Sequence, residues 1–144
     1  MKKLGLLVFV AAANVFAFQP KFEVEYTNYA WGYDNSGCLV DQEGNVYKYG
    51  YGHHSNGKGL EASGKMSDAD LKFASELAEK ALAGKFTEKL VGADGGSTLW
   101  SAYTRYGQQV KLQLRGDARG ENSAPEAKEL VKLLNGVCQI DEQE

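Results

Sequence analysis

The sequence predicts an α+β fold: an antiparallel sheet of about five strands with two helices packed on one face, in the order βββαββα, stapled by one disulfide. Three observations carry this reading. Apolar residues alternate with polar ones at Phe22, Val24 and Tyr26 and again at Val110, Leu112 and Leu114, the period of a strand with one buried face. Leu71, Ala74, Leu77, Ala78, Ala81 and Leu82, and later Ala127, Leu130, Val131 and Leu134, recur at helical spacing. The two cysteines, Cys38 and Cys138, admit a single intramolecular pairing.

Taken in order, the first strand runs through Phe22–Tyr26, after which the apolar phase shifts to Tyr29, Trp31 and Tyr33, as a bulge or break near Thr27 and Asn28 would cause. Asp34-Asn35-Ser36-Gly37 reads as a turn by composition. Cys38-Leu39-Val40 and Val46 to Tyr51 flank a short polar loop containing Gly44, a hairpin signal. Four glycines and two histidines between Gly52 and Gly64 read as an exposed loop.

Ser67 is placed to cap the first helix, with Asp68 and Asp70 at the positive end of its dipole. Gly84 reads as its left-handed stop. A second hairpin, Leu99–Arg105 with Gln109–Leu114, turns around Tyr106-Gly107. Ser123-Ala124-Pro125-Glu126 has the form of a capping box opening the last helix, and Gly136 reads as its end.

The chain begins with Lys2 and Lys3, an apolar run from Leu4 to Ala13 and Val15-Phe16-Ala17, the pattern of a cleavable export signal over residues 1–17. The apolar run is shorter than the ~20 residues that a membrane-spanning helix needs, so residues 18–144 are expected to form a single domain without a membrane span. Removing the signal takes away two lysines and no acid, which moves the formal net charge from −3 to about −5. That balance, with no cluster of Lys and Arg, argues against a nucleic-acid partner. Two cysteines in an exported chain are expected to bridge, and the localisation expected is periplasmic or secreted.

No catalytic set emerges. His53 and His54 are adjacent imidazoles in a loop, able in principle to bind zinc or copper or to act as bases, but neighbours in an extended chain point to opposite sides, and no third ligand stands at metal-binding spacing. Gly52-His53-His54-Ser55-Asn56-Gly57 misses the Gly-x-Ser-x-Gly spacing of a nucleophile elbow by one residue. Asp41, Glu43 and Asn45 lack the glycine and the bidentate Glu of a calcium loop. The reading is therefore not an enzyme, with no cofactor and no metal.

Tyr47, Tyr49 and Tyr51 share one face of their strand, and with Tyr29, Trp31, Tyr33, Trp100 and Tyr103 they outnumber what one helical layer needs to pack a sheet. Exposed Tyr and Trp supply apolar area with a polar tip, suited to contact with protein or glycan. The candidate binding residues are Tyr49, Tyr51, His53, His54, Trp31 and Trp100.

The succession of a strand pair, a helix introduced by Met66-Ser67-Asp68, a second strand pair, then Gly116-Asp117 through Ser123-Ala124-Pro125-Glu126-Ala127 and a Leu-rich terminal helix resembles emfourin-type small protease inhibitors. The resemblance spans roughly residues 38 to 135 and rests on element order and capping residues. It implies a small inhibitor of thermolysin-like metalloproteases acting through exposed loops. The expected function is an exported, non-catalytic binding or inhibitory protein of the bacterial envelope or secreted fraction, with another exported protein as partner. The alternatives are glycan or cell-wall binding through exposed Tyr and Trp, and a metal-dependent envelope protein using His53 and His54.

Overall fold

Eight strands and two helices follow one another as ββββαββββα: β1 (Phe22–Asn28), β2 (Asp34–Val40), β3 (Asn45–Gly52), β4 (Glu61–Lys65), α1 (Asp68–Ala81), β5 (Phe86–Leu90), β6 (Ser97–Tyr103), β7 (Gln109–Gly116), β8 (Ala118–Asn122) and α2 (Pro125–Cys138). This is a computed structural model, and it describes residues 19–30, 32–52 and 59–141. The expected signal segment, Trp31, His53 and His54 lie outside the described residues. The strands form one antiparallel sheet in the order β4-β3-β2-β1-β6-β7-β8-β5.

The α+β class holds, but about five strands in the order βββαββα is corrected to eight. β4, with the sequence EASGK, is exposed along its length; it is an edge strand held by its ladder to β3, so it carries no apolar alternation to read. β5 and β8 are short and polar, FTEKL and ARGEN, and become strands by pairing with each other and with β7. Asp34 to Gly37 is a strand and not a turn: Asn35 is buried, and its side-chain amide donates to Glu25 at 2.9 Å and to the Tyr26 carbonyl at 3.3 Å. The ladder and this side chain satisfy the polar groups that suggested a turn.

Both helices cover one face. Phe22, Val24, Val40, Val46, Ala102, Val110 and Leu112 from the sheet form one buried cluster with Ala74, Leu77, Leu130 and Leu134 from the helices, each large apolar side chain stabilising the fold by roughly 1.5–3 kcal/mol. Ser67 caps α1 as expected, its hydroxyl accepting from Asp70 N at 3.1 Å. The other helix ends differ from expectation. Gly84 is not left-handed; the Asn122 side chain lies against it, where a Cβ would stand. Ser123 does not cap α2: its hydroxyl accepts from Lys85 N at 2.9 Å, and the cap position is Ala124. α2 also runs through Gly136 to Cys138 and ends at left-handed Gln139, because burial of Cys138 outweighs the ~1 kcal/mol that a helical glycine costs.

The disulfide is present between Cys38 on β2 and Cys138 at the end of α2, with Cα atoms 5.9 Å apart. No helix among the described residues is long and apolar enough to cross a membrane.

Candidate binding site at the loop end

The up-and-down connectivity sorts the connections by end. The β1–β2, β3–β4, β5–β6 and β7–β8 connections leave from one end of the sheet, while the β2–β3 and β6–β7 turns and the links to the helices leave from the other. Of the described large apolar side chains that remain exposed, Tyr29, Tyr33, Leu60, Leu90 and Val91 belong to connections and strand ends on the first side. Phe73 and Leu82 lie on or just after α1, and Tyr106 is at the opposite turn.

At the β1–β2 tip, Tyr29 is 74% and Tyr33 50% exposed, with ring centroids 5.2 Å apart. The tip is tied down at its base. Asn28 accepts from Ala30 N through Oδ1 at 2.9 Å and donates through Nδ2 to the Asp94 carbonyl at 3.4 Å and to the Tyr26 hydroxyl at 3.1 Å. Tyr26 in turn donates to the Gly95 carbonyl at 3.0 Å. The hairpin tip and the β5–β6 loop are thus cross-linked by side chains of β1, and apolar area is presented from a fixed base.

A second constellation lies on the sheet face opposite the helices. The alternation that buries Phe22 and Val24 turns Glu23 and Glu25 to that face. Tyr49 donates to Glu23 Oε2 at 3.0 Å and Tyr103 to Oε1 at 3.3 Å. Tyr49 on β3 reaches β1 because Gly37 stands between them: a Cβ there would meet the Tyr49 hydroxyl and ring and the Val24 carbonyl. Burial raises the Glu23 carboxyl above the ordinary carboxylate range, and Glu25 adds to this, against the lowering effect of the two phenols. Burial and the same carboxylates push the Tyr49 and Tyr103 hydroxyls upward, so they stay protonated donors.

A carboxyl whose folded-state pKa is raised contributes stability below its unfolded value, near 4.3, and loses it as pH rises through the folded value. Glu23→Gln is therefore expected to gain melting temperature relative to the parent as pH goes from 4 to 7. Parallel melting curves whose separation does not change with pH would count against this assignment.

Asp41 shows the opposite case at the far end. Burial opposes its ionisation, but the Asn45 side chain and the Asn45 and Glu43 amides, at 2.9–3.0 Å, together with Tyr47, hold its carboxyl below the usual range. It is occupied in closing the β2–β3 turn.

Of the residues singled out from sequence, the two whose side chains are described, Tyr49 and Trp100, lie in different places. Tyr49 belongs to the Glu23 constellation. Trp100 is 6% exposed in the core, its indole N–H donating to Asn135 Oδ1 at 2.8 Å. Tyr51 pairs with Asn35 through the ladder, its side chain lying outside the described residues together with Trp31, His53 and His54. No group of three or more His, Cys, Asp or Glu able to hold a metal ion occurs among the described residues. Sequence reasoning passed over Glu23, Asn28, Leu90, Val91 and Asp117. Only Glu23 carried a signal, as an acid alternating with buried Phe22 and Val24.

Fold and site together define a disulfide-bridged α+β protein that presents a tethered aromatic hairpin tip. Compared with protein-family models, curated proteins and solved structures, the chain matches none.

Proposed function

We propose that this is an exported, non-catalytic binding protein that engages another exported protein through the Tyr29–Tyr33 hairpin tip, with Leu90 and Val91 exposed at the same end of the sheet. The observation that carries the reading is the tip itself: two exposed tyrosines on a base fixed by Asn28 and Tyr26. Tyrosines on a rigid loop give large contact area at low ordering cost, and such residues dominate binding energy at protein interfaces. The bridge between Cys38 and Cys138 suits an oxidising compartment, periplasmic or secreted. Inhibition of an exported protease, which the resemblance to emfourin-type proteins implies, is the form of binding we favour. A projecting tip can occupy a concave cleft.

Glycan binding has less support. Trp100 lies under α2 and offers no ring, and the Tyr29 and Tyr33 rings are tilted by 42°, which is not the flat platform that a sugar face stacks on.

The test is capture from envelope and secreted fractions by the oxidised mature protein. The double change Tyr29→Ala/Tyr33→Ala is expected to weaken the captured complex by at least about 2 kcal/mol, roughly 30-fold in Kd. Tyr106→Ala, at a still more exposed tyrosine at the opposite end, is expected to leave it unchanged. Equal capture by the double variant would remove the tip from the interface.

A further inference from the structure

We infer that Asp117, in the β7–β8 turn, is a positioning residue that sets the conformation of the Tyr29–Tyr33 tip without belonging to it. The inference rests on the binding role proposed above only for its functional consequence; the positioning itself is a matter of hydrogen bonds. One oxygen of the Asp117 carboxylate, Oδ2, accepts from both Gly95 N and Gly96 N at 2.8 Å. Its backbone N–H donates to the Gly96 carbonyl at 2.9 Å, and its carbonyl accepts from Val91 N at 2.6 Å and Gly92 N at 2.9 Å. A single residue thus uses side chain and backbone together to hold both ends of the β5–β6 loop.

That loop is what the tip is moored to. Gly95 supplies the carbonyl for Tyr26, and Asp94 supplies the one for Asn28. Gly96 is left-handed at φ +72°, and a Cβ on it would meet the Thr27 carbonyl, the Asn28 Cβ and the Tyr26 ring. The loop can therefore lie directly against the end of β1 only with glycine at this position. The chain of support runs from Asp117 to Gly95 and Gly96, from there to Tyr26 and Asn28, and from Asn28 Oδ1 to the Ala30 amide inside the tip. Charge-assisted bonds to backbone N–H groups are the stronger kind, so the first link carries the most weight.

Asp117→Ala removes the carboxylate and keeps the backbone bonds. Amide exchange at Gly95 and Gly96 is expected to accelerate at least about tenfold, roughly the loss of one net hydrogen bond, and with it the NMR order parameters of residues 28–30 fall and the contact between the Tyr29 and Tyr33 rings is lost. Asp117→Asn, whose carbonyl oxygen can accept both bonds, is expected to restore most of the order. Asn28→Ala removes the Asn28 bonds to Ala30, Asp94 and Tyr26 but leaves the Asp117 bonds in place; it is expected to loosen the tip while Gly95 and Gly96 stay protected, which keeps the test sharp should Asp117→Ala fail to fold. A tip that stays ordered in Asp117→Ala or in Asn28→Ala overturns the inference, as does unchanged exchange at Gly95 and Gly96 in Asp117→Ala. A tip that loosens as expected while capture of the partner is undiminished leaves the positioning standing and counts instead against the tip as the binding site.

Discussion

Replacing Trp100 by alanine is expected to destabilise the fold by about 3–5 kcal/mol, the range for emptying a large aromatic from a core. Trp100 lies in the buried cluster of β1, β6 and the helices and is the partner of Asn135, itself buried on α2. The loss has two parts. Alanine leaves a cavity, and it strands the Asn135 carbonyl oxygen, whose unpaired burial costs about 1–3 kcal/mol. Trp100→Phe keeps most of the volume and isolates the second part, so it should fall between the parent and Trp100→Ala in denaturant titration. The contrast with a ligand-binding tryptophan is direct: a residue used for stacking would lose its ligand on mutation and keep its melting temperature. An unchanged denaturation midpoint in Trp100→Ala would mean that the ring is not packed as described.

The second large effect is expected from the disulfide. Cys38 and Cys138 are separated by 100 residues, so the bridge constrains most of the unfolded chain. In the chain-entropy picture a loop of this length corresponds to about 4.7 kcal/mol, and removal of a native bridge from a small domain typically costs 2–5 kcal/mol. The double change Cys38→Ser/Cys138→Ser should lower the unfolding free energy by that amount, and the reduced parent should unfold at nearly the same denaturant concentration as the variant. Against a usual total of about 5–15 kcal/mol, this makes folding of the reduced chain marginal. Coincident curves for oxidised and reduced protein would sink the prediction.

Much of the scaffold was legible because its signals are local. The apolar spacing from Leu71 to Leu82 and the Ser67 cap give α1 almost without context, and the alternation at Phe22 and Val24 and at Val110 and Leu112 gives the centre of the sheet. The three missed strands have no such signal. Glu61 to Lys65 is entirely exposed, and Ala118 to Asn122 is a strand only because β5 and β7 lie on either side of it. Propensity and burial pattern are silent where the ladder alone makes the element. The misread helix ends have the same origin. Gly84 and Gly136 look like stops locally, but contact with Asn122 and burial of Cys138 decide what they do.

The candidate site was less legible than the scaffold. Sequence showed that aromatics were in excess without showing which would be spared by the core. Trp100 and Tyr29 are equally prominent as letters; register places one under α2 and the other at a projecting turn. Asp117 entered the sequence reading only as part of Gly116-Asp117, and its role depends on a loop some twenty residues earlier being folded against it. Gly37 likewise reads as part of a turn, and only the pairing of β2 with β3 explains it, as the place where the Tyr49 ring crosses to Glu23.

The bridge also bears on how the molecule would survive attack. The first four strands with α1, and the last four with α2, meet in the sheet along β1 and β6, and the disulfide joins the first group to the second. A single backbone cut anywhere between residues 38 and 138, including one in the β5–β6 loop beside the tip, produces two fragments that remain one covalent body. Under the proposed inhibitory role, a clip in the β5–β6 loop would then not be dissociation, whereas a cut in the Tyr29–Tyr33 tip falls outside the bridged span. A form nicked in the β5–β6 loop keeps the two sides of the sheet tied together through Cys38 and Cys138.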